Sequence, residues 1–175
     1  MSNPSIFAFD CSSKAIGWCL YNGSVQARGV IRLDPKADIS ERCLTAKSEI
    51  GVLLMRYPVD AVALESPVVR YGSSIPQIRI GAMVLLACAE YSLAWCEVTP
   101  TAGKKALTED GDATKREMLE AAAVYFGYDA AVLAYRCYRE EWIAELHGVV
   151  VLYEHEADAL GLALSMQGKV EVMPC

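Results

Sequence analysis

Histidine is scarce in this chain: His147 and His155 are the whole supply. The seven cysteines, at positions 11, 19, 43, 88, 96, 137 and 175, are odd in number and form no Cys-x-x-Cys pair. That argues against a zinc site or a disulfide framework. Free thiols in a reducing cytoplasm are the better expectation, with Cys88 and Cys96 as small core residues. A long apolar run is also missing. The most apolar segment, Ile80–Trp95, is short for a bilayer crossing and contains Glu90, so it reads as a buried helix. The N-terminal residues lack a basic segment followed by an apolar run, so no secretory leader is expected. The location expected is the cytoplasm. Basic residues are in deficit: Lys and Arg number 16 against 22 Asp and Glu, a formal charge of −6. This excludes a non-specific DNA-coating protein. It leaves a nuclease open, because a metal site needs acids and DNA contact can be confined to a local basic stripe.

More than half of the residues are apolar, which points to one globular domain over 1–175 with a sizeable core. The stretch Ser5–Tyr21 opens as an apolar strand ending on Asp10, turns through Cys11–Lys14 and returns as Ile16–Tyr21. Asn22-Gly23 is a hairpin signal, and Val25–Leu33 reads as a third strand before Asp34-Pro35 breaks it. From Ser40 the pattern turns helical, with Leu44, Ile50, Leu53 and Leu54 near one face, until Tyr57-Pro58. Asp60–Glu65 is a buried strand stopped by Ser66-Pro67. Val68–Pro76 is a loop, Gln77–Ala94 a long apolar helix, Cys96–Val98 a strand and Thr101–Leu107 a short helix. Thr114-Lys115-Arg116-Glu117 is a capping box ahead of Met118–Phe126, closed by Gly127. Asp129–His147 is expected as one amphipathic helix with Leu133, Cys137, Ile143 and Leu146 inward. Gly148–Tyr153 is a strand or extended approach, and Glu154–Met166 a final helix packed through Ala157, Leu160, Gly161 and Leu164. A meander followed by crossover-linked strands gives an α/β fold: a mixed five-stranded sheet flanked by helices. The first and fourth strands can lie parallel and adjacent, which would bring Asp10 and Glu65 together.

An acid at the edge of an apolar sheet is costly unless something positive sits against it. Asp10 could instead be a turn residue, and Glu65 a solvated strand end. Asp158, however, interrupts the apolar run ADALGLAL, where an isolated carboxylate is poorly solvated. His155 three residues before it and Glu154 four before it share its helical face, whereas Glu156 points largely away. His155 is the preferred companion and Glu154 the second choice. Three carboxylates plus an imidazole or a fourth acid can hold two Mg²⁺ ions, with Mn²⁺ as a possible substitute. Such a pair activates a water and stabilises a leaving 3′ oxygen.

These residues resemble the RuvC family of Holliday-junction resolvases, within the ribonuclease H-like superfamily. Four pieces carry the resemblance, in order along the chain: FAFDCSSKAIGWCLY, AVALESP, IGAMVLLACAE followed by VTPTAGKKALTEDGDATKREML, and HEADALGLAL. The resemblance implies that Asp10, Glu65 and Asp158 are metal-binding catalytic acids, with His155 in the fourth position. Cys11-Ser12 stands where cellular members carry Pro-Gly, a form closer to viral or phage members. The resemblance implies branched DNA, four-way junctions above all, as substrate, and a bacterial or phage-infected cell as the setting. It also implies a homodimer whose two-fold symmetry matches the junction, with the Gln77–Ala94 helix as a candidate interface. Lys115 at a helix start, with free N–H groups beside it, would receive a DNA phosphate. Lys104 and Lys105 would track the backbone, and Tyr71 is the one substitute for the aromatic wedge of some members. Two rivals remain. An actin-like ATPase or sugar kinase opens with a similar Asp hairpin, but its second Gly-rich phosphate loop is missing here. A non-catalytic nucleic-acid-binding module of the same fold would not need all the acids.

Overall fold

The fold is that of a computed structural model, in which residues 3–67, 75–167 and 169 are described. Strands β1 (Ile6–Cys11), β2 (Ala15–Tyr21) and β3 (Val25–Arg32) form an antiparallel meander. Helix α1 (Ile39–Arg56) crosses over to β4 (Ala61–Glu65), which pairs parallel with β1. Helix α2 (Ile75–Glu90) leads to β5 (Ala94–Val98), parallel to β4. The sheet order is β3-β2-β1-β4-β5, the mixed five-stranded sheet expected from the sequence. Helix α2 starts two residues earlier than expected. Pro76 lies in its first turn, where a missing N–H costs nothing.

Both central strands are buried along nearly their whole length, as continuous apolar runs covered on two faces should be. Alternation sends Phe7, Phe9, Val62 and Leu64 to one face, where they meet Ile50 and Leu54 of α1 and Ile80 and Val84 of α2. Phe7 and Phe9 stack with ring centroids 4.8 Å apart. Ile6, Ala8 and Ala63 point to the other face, against the final helix α5 (Glu154–Met166). By the same period-2 rule Asp10 and Glu65 point that way too. The β1–β4 register places Ala8 opposite Ala63, so the two acids lie two residues further along neighbouring parallel strands.

Helix α3 (Pro100–Thr108) packs on α5, and α4 (Lys115–Tyr125) follows it. The capping box on α4 forms in full: Thr114 Oγ1 accepts from Glu117 N–H, and the Glu117 carboxylate accepts from Thr114 N–H.

Several expectations fail. Asp129–His147 is not a helix. A 3₁₀ turn (Ala130–Val132) leads into β6 (Ala134–Tyr138), β7 (Glu141–Leu146) and β8 (Val149–Tyr153), a second, antiparallel sheet. Its turns are two-residue loops with both residues at positive φ, Arg139-Glu140 (52° and 68°) and His147-Gly148 (52° and 80°). That is the hairpin geometry that follows strand twist. Leu133 and Ile143 are buried as expected, but Cys137 is exposed. Leu44 stands 69% exposed instead of facing the core, and Cys96 is only half-buried. No helix among the described residues is long and apolar enough to cross a membrane.

Candidate metal centre

The site lies where the C-terminal ends of β1 and β4 meet the start of α5. Gly17 of β2, paired with Asp10, is what lets α5 come this close. A Cβ at Gly17 would lie 2.0 Å from the His155 carbonyl oxygen, so any larger residue would push the helix start away. The close approach sets His155 Nδ1 at 2.8 Å from Asp10 Oδ2. One helical turn on, Asp158 joins them. Asp10, His155 and Asp158 each offer a ligand atom, and these atoms lie within 4.8 Å of one another. A second close approach steers the other wall. A Cβ on Gly161 would lie 2.6 Å from the Gly103 carbonyl oxygen, so α3 rests directly on α5. Lys104 of α3 thereby lines one cleft with Glu65, Lys115 and Asp158.

The electrostatics are those of acids held too close. Burial raises the Glu65 carboxyl, and the charges of Asp10 and Asp158 raise it further, to about 9. The raised value favours the protonated Glu65 carboxyl, which can donate to the neighbouring Asp10 carboxylate. Burial also lifts Asp158, to about 6, although Lys115 pulls it back. Asp10 is buried as well, but the hydrogen bond and charge of His155, with Lys115 behind them, hold it below the usual carboxylate range. Burial alone would lower the His155 imidazole, yet its bond to Asp10 raises it. The Lys115 ammonium is ion-paired with Asp158, which raises its pKa against the opposing effect of burial.

This donor set fits a divalent cation that prefers oxygen. Adjacent ligands on an octahedral ion with ~2.1 Å bonds stand roughly 3 Å apart, close to the observed separation of His155 Nδ1 and Asp10 Oδ2. A cation between the acids would also offset the burial and the like-charge repulsion that together raise the Glu65 carboxyl.

Of the two companions read for Asp158, His155 faces Asp10. Glu154 turns to the second sheet, where its Oε2 accepts from Trp142 N–H at 3.0 Å. Glu156 points away, as expected, and pairs with Arg28 at 2.6 Å in a largely buried bridge. Lys115 is engaged with Asp158, and the capping box uses two of the donors at the start of α4. Fewer free N–H groups therefore remain there than the sequence suggested. Lys105 is exposed on α3 and lines no part of this cleft. Tyr71 lies outside the described residues. Reading by residue type missed the glycines that set the approach. A glycine inside a strand, as at position 17, is the signal that another backbone comes close.

No protein-family model matches the chain. Two curated relatives are crossover junction endodeoxyribonucleases RuvC. The one from Corynebacterium glutamicum is 33% identical over 92 residues, 51% of this chain and 42% of that protein. The one from Corynebacterium diphtheriae is 34% identical over 94 residues, 53% of this chain and 58% of that protein. The chain thus spans about half the length of the curated relatives it matches. Among solved structures, Thermus thermophilus RuvC in complex with Holliday junction substrate superposes with a TM-score of 0.70 at 20% identity, covering 93% of this chain and 92% of that one. The chain therefore has the ribonuclease H-like fold of RuvC over nearly its whole length, and its resemblance to the RuvC family is borne out in sequence over about half of the chain and in that fold.

Proposed function

We propose that this protein is a metal-dependent endonuclease that resolves four-way DNA junctions by phosphodiester hydrolysis. The observation that carries the reading is the convergence of Asp10, His155 and Asp158, with Glu65 against Asp10, at the ends of two parallel strands. Asp10, Glu65, His155 and Asp158 would hold two Mg²⁺ ions, or Mn²⁺ in their place. When bound, such ions supply an activated water and stabilisation of the leaving 3′ oxygen. The four side chains are held by rigid elements, so they need little reorganisation to receive a charge.

The remaining residues serve binding. Lys104 and Lys115 line the cleft beside Glu65 and Asp158, so a phosphate entering there meets two ammonium groups. Lys105 extends the basic stripe along the exposed side of α3, and Tyr71 is offered as a DNA-contacting residue on its sequence alone. The basic residues are local to the site while the chain as a whole is acidic. That suits a protein that engages one DNA feature rather than coating the duplex. A homodimer would present two such sites to a two-fold symmetric junction. Ile75, Ile78 and Leu86 form an exposed apolar stripe along α2, which supports that helix as the interface.

Labelled synthetic four-way junctions, incubated with Mg²⁺ or Mn²⁺ and with chelator, test the reading. Paired, symmetric nicks that require the metal are expected, with three-way, flap and linear DNA cut more slowly. Equal cutting of linear duplex would refute junction selectivity, and cleavage in chelator would refute the metal mechanism.

A further inference from the structure

His155 has two ring nitrogens, and the site described above uses one. Nδ1 faces Asp10. Nε2 faces the opposite way, toward the start of β7, and stands 3.9 Å from Glu141 Oε1. A neutral imidazole offers a metal only its unprotonated nitrogen, and the other nitrogen then carries a hydrogen that needs an acceptor. Glu141 can supply one. Its Oε2 accepts from Arg32 Nη1 at 2.9 Å, but its Oε1 is buried without any hydrogen-bond partner. An orphaned buried carboxylate oxygen is expensive, and here it is aimed at the ligand histidine. The other groups around the ring are already committed: Asp10 to Nδ1 and Glu154 to Trp142 N–H.

The hairpin that carries Glu141 is anchored to the same elements. Its turn residue Glu140 pairs with Lys14 at 3.1 Å, beside the loop after β1, and Trp142 N–H binds the first residue of α5. The second sheet thereby touches two of the three elements that carry the metal-binding side chains, the loop after β1 and the start of α5.

We propose that Glu141 is a positioning residue that accepts the Nε2 hydrogen of His155, so that when a metal displaces the Nδ1 hydrogen now shared with Asp10 the ring stays in its Nε2–H form and presents Nδ1; the inference rests on the nuclease reading. The present 3.9 Å separation is longer than a hydrogen bond. A small rotation of the ring or one bridging water closes it.

The test is calorimetric titration of Mn²⁺ into the wild type, Glu141→Ala, Glu141→Gln and Arg32→Ala, each checked for folding by thermal melting. Glu141→Ala should weaken Mn²⁺ binding about 10- to 100-fold, as loss of such an outer partner does. Glu141→Gln keeps an acceptor oxygen and should restore most of the affinity. Arg32→Ala breaks the partly exposed ion pair but leaves Oε1 in place, and should stay within about threefold of wild type. Wild-type affinity in Glu141→Ala overturns the inference and leaves the nuclease reading standing. Equal losses in all three variants overturn it in favour of a purely structural ion pair. A wild type that binds no Mn²⁺ overturns the nuclease reading and this inference together. Nitrogen NMR of the Mg²⁺-loaded wild type gives a readout independent of the variants. A proton on Nε2 of His155 is expected, and a proton on Nδ1 overturns the proposal.

Discussion

With divalent ions chelated, Glu65→Gln is expected to become more stable than the wild type as pH rises. Burial, and then the charges of Asp10 and Asp158, carry the Glu65 carboxyl from 4.5 to about 9. Between those values the folded chain keeps a proton that the unfolded chain has released. Stability from this group is therefore complete below the lower value and drains away as pH climbs toward the upper one. Each pH unit inside the window is worth about 1.4 kcal/mol. Moving from about pH 5 to about pH 8 thus removes up to about 4 kcal/mol, or roughly 10 °C of Tm for a chain of this size. The interaction with Asp10 and Asp158 spreads the titration over the cluster, so that figure is a ceiling. Glutamine has no proton to lose, and its amide can donate to Asp10 as the protonated carboxyl does. The assay is a series of thermal melts of both proteins in chelator across that range. The gap in Tm should widen steadily with pH, and saturating Mg²⁺ should close or reverse it, because the ion stabilises the folded wild type in proportion to its affinity. Parallel curves in chelator would refute the crowding of acids on which the metal centre rests.

Other expectations concern catalysis and scaffold separately. Asp10→Asn or Asp158→Asn should abolish junction cleavage while circular dichroism and junction binding by gel shift persist; full activity in either would refute the assignment. Gly17→Ala puts a methyl 2.0 Å from the His155 carbonyl oxygen. It should cost about 1–3 kcal/mol in urea unfolding and slow cleavage as well, because the start of α5 must move. Arg28→Ala strands the buried Glu156 carboxylate, which also caps Tyr153 N–H. A loss of about 3–5 kcal/mol is expected, partly recovered in the Arg28→Ala, Glu156→Ala double variant.

The sheet and the four principal acid and imidazole positions were legible because their signals are local and physically distinct. A continuous apolar strand ending in an acid reads the same alone as in the fold, and so does an acid interrupting an apolar helix. The capping box at Thr114 needed four residues to announce itself. The second sheet did not read because Arg139-Glu140 is an ordinary charged pair, and nothing in it announces a turn with positive φ. Tertiary links stabilise that turn: Glu140 with Lys14 and Glu141 with Arg32, each more than a hundred residues away in sequence. The clearer signal follows it: the β-branched run Val149–Val151 lies in the segment expected as a strand or extended approach, which is β8, whereas His147 falls in the expected helix and turns out to be a hairpin residue. Leu44 shows the limit of helical periodicity, which marks a face but not whether anything covers it. Glu141 could be chosen over the other acids only once the hairpin laid it beside His155.

The central claim is that Asp10, Glu65, His155 and Asp158 share divalent ions. Anomalous diffraction from crystals grown with Mn²⁺ tests it most directly. The account predicts peaks bridging these four side chains, at roughly 2.0–2.3 Å from their oxygen and nitrogen atoms. A crystal that takes up Mn²⁺ elsewhere and leaves this cluster without a peak would contradict it.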